Sequence, residues 1–210
     1  MASEGPEGAA PLEELNAGAT TPARLAASAI VLRDSGRGPE VLLVQRNPEA
    51  RFMGGAWVFP GGAVHTDDSG PAATARRELE EEAAIRLADD SELVPFSRWI
   101  TPLEVKLRFD TWFYLAAVPA EAEGRPDGAE TVDLRWLRPE GALAAGRRGE
   151  LVLVFPTIKH LEQLAELSSV SDGLERARRR RVEPVLPRIV REGRDVRVLL
   201  PGEPGYDAPA

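Results

Sequence analysis

"FPGGAVHTDDSGPAATARRELEEEAAI", from Phe59 to Ile85, sets two features side by side: a Pro-Gly-Gly turn closing a short apolar run and, one loop later, a helix dense in carboxylates. Ala75, Leu79, Ala83 and Leu87 recur at helical spacing with Pro71 near the start, which predicts a helix from about Pro71 to Leu87. At roughly 100° per residue, Glu78, Glu81 and Glu82 are related by i,i+3 and i,i+4 and share one face, while Glu80 points largely away. Like charges on one face repel, and a hard divalent cation reverses the sign of that interaction, because Mg²⁺ takes carboxylate and phosphate oxygens as ligands. Arg77 is placed to pair with Glu81 and hold it. Asp67, Asp68 and the carbonyls of Gly61–Gly62 lie just upstream, where a residue without a side chain lets the backbone turn tightly and approach a phosphate or a metal. Alone, a glutamate-rich helix is usually a solvated face and Pro-Gly-Gly an ordinary turn. Together, behind a strand, they point to metal-assisted phosphate chemistry.

Working outward, "PARLAASAIVLRD" from Pro22 reads as a first strand, "SGRGP" as a turn, and "EVLLVQR" (Glu40 to Arg46) as a strand apolar enough to be covered on both faces. "AWVF" is a short strand, "WITP" a strand and turn, and "LRFDTWFYLAAVP" (Leu107 to Pro119) a strand rich in aromatic and branched residues. Val132, Leu134 and Trp136 alternate in "TVDLRWL" (Thr131 to Leu137). "RPEGALAAGRRG" reads as a short helix, "TIKHLEQLAELSS" from Thr157 as a second, "DGLERARRRR" as a third, and the remainder as extended chain. Residues 1–20, small, acidic and broken by Gly and Pro, read as a flexible tail with one weak helical turn around Leu12 to Leu15. Residues 21–210 then form a single domain, a mixed sheet with helices on both faces and a helical and extended C-terminal segment.

Composition narrows the chemistry. The 210 residues include no cysteine and only two histidines, His65 and His160, which excludes disulfides, thiolate metal sites and a histidine-rich zinc centre. A net charge of −8 argues against long nucleic acid, though not against a small phosphorylated ligand met by local arginines or a metal. No apolar run long enough to span a membrane and no signal-peptide pattern is present, so a cytoplasmic protein is expected.

These residues resemble the signature of the Nudix hydrolase superfamily. Gly62 fits its first glycine and Arg77 to Ile85 its end, with three departures: Asp68 stands for the first glutamate, eight residues rather than seven separate it from Arg77, and Ala84 replaces the last glycine. The exchange at Ala84 matters if that position requires positive φ. The resemblance implies an α/β fold, a Nudix-type α/β/α sandwich with a mixed β-sheet. It implies Mg²⁺ or Mn²⁺ on Glu78, Glu81, Glu82 and the Gly61 carbonyl, and water attack on a diphosphate linking a nucleoside to another group. The base would be a carboxylate on this helix, or Glu130 or Glu104 from later loops.

Within the superfamily, Leu42, Leu43, Arg46, Arg51, Gly55 and Phe59-Pro60-Gly61-Gly62 fall at the spacing of the coenzyme A pyrophosphatase-like branch, with Val44 and Asn47 in place of its Thr and Ser. "RWITP", "RFDTWFYLAAVP" and "FPT" resemble peroxisomal-type relatives of that branch and their bacterial counterparts. The resemblance makes coenzyme A or an acyl derivative the expected substrate, with Arg46, Arg51, Gly61 and Gly62 on its phosphates. NADH, ADP-ribose or nucleoside triphosphates are the alternatives, as is a ligand-sensing or interaction module without turnover. Trp57 and Phe59 are expected in the core, His65 in solvent, His160 in a structural role, the "RARRRR" run from Arg176 on a solvated helix end, and a homodimer is favoured.

Overall fold

The computed structural model describes residues 14–16, 20–192 and 195–207. Its central strands are the most apolar stretches of the chain. In β1 (Arg24–Asp34) seven consecutive residues are buried, with Ala27, Ala29 and Val31 facing one side and Ile30 and Leu32 the other. In β2 (Pro39–Arg46), Leu42 and Val44 share the first side, Val41 and Leu43 the second. A strand covered on both faces cannot alternate apolar with polar, which is why both read as near-continuous runs.

The other strands are β3 (Trp57–Val58), β4 (Gly61–Ala63), β5 (Val94–Ile100), β6 (Phe109–Ala117), β7 (Thr131–Leu137) and β8 (Pro184–Val185). They extend the sheet in the order β3-β2-β1-β6-β5-β8, with β7 on β2 and β4 on β1. The sheet is mixed: β1 runs parallel to β6 over nine residue pairs and antiparallel to β2 and β4. Along one edge, β1 pairs with β2 at Leu32–Asp34 and with β4 at Ala26–Ser28. The strands diverge between these points, and the bend at Phe59–Pro60 enters the fork through a hydrogen bond from Ala29 N to Pro60 O (2.9 Å).

Helix α1 (Pro71–Ala83) lays Ala75, Leu79 and Ala83 on the first face of the sheet. The opposite face is covered by α2 (Pro139–Arg147), α3 (Phe155–Leu164) and α4 (Val170–Arg179), through Ala142, Leu161, Leu164, Val170 and Ala177. This is the expected α/β/α sandwich. A C-terminal hairpin, β9 (Arg188–Glu192) and β10 (Asp195–Leu199), forms a separate two-stranded sheet. Among the described residues, no helix is long and apolar enough to cross a membrane.

The structure alters three sequence readings. Helix α1 ends at Ala83 rather than Leu87, because Ala84 is left-handed (φ 52°, ψ 31°) and closes the last turn through Ala84 N to Glu80 O. Leu87 is buried, but beyond the helix. Glu14 to Asn16, assigned to the tail, dock antiparallel on residues 104–106: Leu15 bridges Val105, Asn16 N donates to Glu104 O and Lys106 N to Glu14 O. Leu12 of the weak helical turn lies outside the described residues. Finally, Gly61 and Gly62 are not a turn but the start of β4.

Candidate active site

Neither Gly61 nor Gly62 has positive φ, so their lack of a side chain serves close approach and not turning. A Cβ on Gly61 would lie 2.6 Å from Ala27 O and 2.7 Å from the Ser28 Cα. One on Gly62 would lie 2.7 Å from the Glu78 Cδ and collide with its Oε1. The strand thus slides against α1 tightly enough for Glu82 Oε2 to accept from Gly61 N at 2.9 Å.

The buried face of α1 carries Glu78, 7% exposed, and Glu82, 3% exposed, while the Glu81 side chain is 58% exposed. Burial pushes the Glu82 carboxyl up to about 7, against the Gly61 N–H bond and reinforced by the charge of Glu78. Burial also raises Glu78, against the pull of the adjacent Arg77. Glu130 adds to the rise of both, and Arg46 opposes that of Glu82, so the end of β2 and the residue ahead of β7 share one field with the helix.

Arg77 gathers the remaining charge. Its Nη1 donates to Glu78 Oε1 (2.9 Å) and Glu81 Oε2 (2.7 Å), and its Nε and Nη2 form a fork on Asp68 (3.1 and 3.0 Å). Asp68 also accepts from Thr74 Oγ1 and His65 N. The bond from Arg77, with those from His65 and Thr74, holds its carboxyl well below the usual range.

These groups border a cavity of about 480 Å³. Arg46, Gly61, Gly62, Arg77, Glu78 and Glu81 form one wall with Glu130; Glu82 lies behind Gly61. His65 reaches the rim. Glu130 is brought there by β7, which pairs with β2 so that Asn47 N donates to Glu130 O and Asn47 Nδ2 to Ala129 O. Two predicted residues stand apart. Arg51 is exposed and does not line the cavity, and Glu104 directs its carboxylate to Ile189 N (3.5 Å).

Much of the remaining lining is apolar, and no single stretch of the sequence signals it. Phe52, Trp99, Phe109, Phe113 and Phe155 contribute to it, and the C-terminal chain adds Pro187, Ile189 and Val198. The stretches "RWITP", "RFDTWFYLAAVP" and "FPT" therefore converge on one space. Ring-lined depth continues beneath it, where His160 is fully buried among Phe59, Phe96, Trp99 and Phe113. Its Nε2 pairs with Ser97 Oγ at 2.6 Å, its Nδ1 has no partner, and burial pushes it down to about 3, so it is a neutral core group. Trp57 is core as expected, and the basic helix end is neutralised locally by Arg176–Asp172 and Arg178–Glu92.

In kind, the donors fit a hard divalent cation: two buried, under-compensated carboxylates, a third at the cavity edge, and a backbone segment held close by glycines. Among the described residues, no three acidic or imidazole side chains are gathered as a cage. In this side-chain arrangement the Arg77 guanidinium bridges Glu78 and Glu81, supplying the positive charge between them.

Comparison with known proteins agrees with this geometry. The NUDIX domain family matches residues 22–154. A Klebsiella aerogenes protein described as the uncharacterized Nudix hydrolase NudL is 49% identical over 47 residues, a stretch covering 22% of this chain and 39% of that protein. The crystal structure of a NUDIX hydrolase from Alicyclobacillus acidocaldarius superposes with a TM-score of 0.66 at 28% identity, covering 75% of this chain and 97% of the other. The NUDIX domain of Shewanella oneidensis NrtR, solved with ADP ribose, shares the fold (TM-score 0.54, 23% identity, 72% and 92% covered). With the family match spanning most of the sheet, α1 and the carboxylate wall, the chain belongs to the NUDIX domain family.

Proposed function

We propose that this protein is a divalent-metal-dependent pyrophosphohydrolase that cleaves a diphosphate linkage in a nucleoside diphosphate derivative, and that the substrate is coenzyme A or an acyl-coenzyme A. The observation that carries the reaction class is the placement of Glu78, Glu81 and Arg77 on one wall of a ligand-sized cavity, with Glu82 directly behind. Support for the substrate comes from the spaced residues Leu42, Leu43, Arg46, Arg51, Gly55 and Phe59 to Gly62.

Glu78, Glu81, Glu82 and the Gly61 carbonyl would hold Mg²⁺ or Mn²⁺, which when bound neutralises phosphoryl oxygens and lowers the pKa of the attacking water. Arg77 orients Glu78 and Glu81 and is itself fixed by Asp68. The Arg46 guanidinium, anchored by Nε to Phe52 O at 3.2 Å, offers its remaining donors to phosphate oxygens. Glu130, just ahead of β7 in the cavity lining and within the field of Glu78 and Glu82, takes the water proton; Glu104 is not used, because it lies off the cavity.

The test is mass-spectrometric identification of products from coenzyme A, acetyl-coenzyme A, NADH, ADP-ribose and dGTP, each with Mg²⁺ and with Mn²⁺. Phosphopantetheine and adenosine 3′,5′-bisphosphate from wild type, with neither from Glu81→Gln, are expected. Cleavage of other diphosphates with coenzyme A left intact would overturn the substrate. A metal-dependent rise in melting temperature with no product from any compound would overturn the hydrolase reading.

A further inference from the structure

The family match ends at residue 154, and the helix that begins there turns its N-terminus into the cavity. Phe155, Pro156 and Thr157, the first turn of α3, all line it. The helical ladder opens with Ile158 N donating to Val154 O, which leaves Phe155 N and Thr157 N ahead of it, at the positive end of the helix dipole. No side chain caps this end, and no acidic residue stands in its first turn.

The side chains beside it are donors without acceptors. Thr157 is 3% exposed and Trp99 6%, and both line the cavity. Neither the Thr157 hydroxyl nor the Trp99 indole N–H has a hydrogen-bond partner among the described residues. The one sealed side-chain polar atom left unpaired among those residues is His160 Nδ1, so the Thr157 and Trp99 groups open onto the space they line. Thr111 and Arg24 line it too, and their side chains are likewise unpaired among the described residues.

The sheet fixes the spacing. Ala63, Ala26, Thr111 and Trp99 form one row across β4, β1, β6 and β5, with Arg24 two residues before Ala26 on the same face of β1. At about 4.8 Å per strand, Thr111 lies about 10 Å and Trp99 about 14 Å from the glycine strand that abuts Glu78. The carboxylates of the lining, Glu78, Glu81 and Glu130, belong to the catalytic wall. Backbone N–H groups, an indole N–H and a guanidinium can only donate, and the two hydroxyls can donate as well. Such a set selects an acceptor, and an oxyanion best of all.

We infer that the N-terminus of α3, with Thr157, Trp99, Thr111 and Arg24, is an anion subsite that takes an oxyanion borne by the ligand apart from its diphosphate. The inference rests on the pyrophosphohydrolase reading for the place of the diphosphate, and not on the choice of substrate within that class. A phosphomonoester and a carboxylate share the required chemistry, and paired ligands tell them apart.

Calorimetry on the full chain in chelator measures dissociation constants within three pairs. NADPH against NADH and coenzyme A against dephospho-coenzyme A each differ by one phosphomonoester; succinyl- against butanoyl-coenzyme A differ by a terminal carboxylate. The more charged member of at least one pair is expected to bind about tenfold more tightly, the worth of hydrogen bonds to a charged group, and the pair that responds identifies that group. Arg24→Gln and Thr157→Val are each expected to narrow the ratio by at least about threefold, with melting curves checking that both fold. Arg24 is exposed, so its variant keeps the test open where Thr157→Val fails to fold. Equal affinity within every pair, no binding by any member, or a ratio unchanged in Arg24→Gln would each overturn the inference. Turnover is measured separately with Mg²⁺: a charge preference without cleavage leaves the subsite standing and removes the hydrolase reading, whereas cleavage without the preference does the reverse.

Discussion

Replacing Ala84 by glycine tests, by its sign alone, whether the helix that carries the carboxylates ends where the structure places it. Ala84 has φ 52° and ψ 31°, caps α1 through Ala84 N to Glu80 O, and leaves Ala83 O to accept from Arg125 N at 2.8 Å. An alanine in the left-handed region is disfavoured by about 1–2 kcal/mol, and the glycine variant gives back about 0.4–1 kcal/mol through the greater freedom of its unfolded chain. The residue is exposed, so loss of the methyl forfeits no buried area. The net expectation is a gain of about 0.5–1 kcal/mol, or about 1–4 °C in melting temperature for a chain of this size. Urea denaturation of wild type and Ala84→Gly, with Ala83→Gly as the contrasting change one residue back, measures it. Ala83 is fully buried inside the helix, so its glycine variant is expected to lose 1 kcal/mol or more, on the order of the helix-interior penalty plus lost packing. If Ala84→Gly were also destabilised by about that amount, the chain would be helical through 84 and the argument for a left-handed cap would fail.

Three further perturbations address the site. Because burial raises the Glu82 pKa to about 7, above its ordinary 4.5, the folded state holds its proton more tightly, so in chelator stability is greatest below about 4.5 and falls as pH rises through 7. Glu82→Gln keeps an acceptor for Gly61 N and removes this loss; urea curves at pH 5 and pH 8 should show the variant gaining about 2–3 kcal/mol on wild type across that window, and equal pH responses would refute the buried-charge account. Gly62→Ala drives a methyl into the Glu78 carboxyl and is expected to lower turnover on the order of 10²-fold by displacing a group whose position matters at the ångström scale, while near-wild-type kcat would show that Glu78 can move without consequence. Arg77→Lys keeps the charge but cannot span Asp68, Glu78 and Glu81 at once, so kcat should drop at least about tenfold with folding intact, and Asp68→Asn should move it in the same direction by less; full activity in Arg77→Lys would reduce the guanidinium fork to an ordinary surface ion pair.

Local features were legible in the sequence wherever one element's own period encoded them. Strands β1, β2 and β6 are legible from apolar or aromatic runs, β7 from its alternation, and the shared face of Glu78, Glu81 and Glu82 from helical spacing. The end of α1 did not, because Leu87 falls four residues after Ala83 and prolongs the helical rhythm after the backbone has left the helix. The Pro-Gly-Gly segment looked like a turn because glycine signals freedom of φ, whereas here it signals proximity: its neighbours are Ala27, Ser28 and Glu78, from strands and a helix distant in sequence. Glu104 and Glu130 were indistinguishable as loop glutamates, and only the pairing of β7 with β2 separates them. The apolar part of the lining was invisible for the same reason. Its members come from positions as far apart as Phe52 and Val198, and no period links them.

The departures from the Nudix signature acquire physical content in the structure, and they are not alike. Asp68 is one methylene shorter than the expected glutamate and one residue further from Arg77 in sequence, yet it meets the guanidinium with both oxygens and is itself held by Thr74 and His65. The shorter side chain thus still makes a two-point contact with Arg77 in this chain. At Ala84 the backbone still takes the conformation glycine would adopt there, and the chain carries the strain. A sequence comparison weighs these substitutions equally. The geometry separates Asp68, which is tied into the site by Arg77, Thr74 and His65, from Ala84, whose left-handed backbone costs stability in the helix bearing the carboxylates.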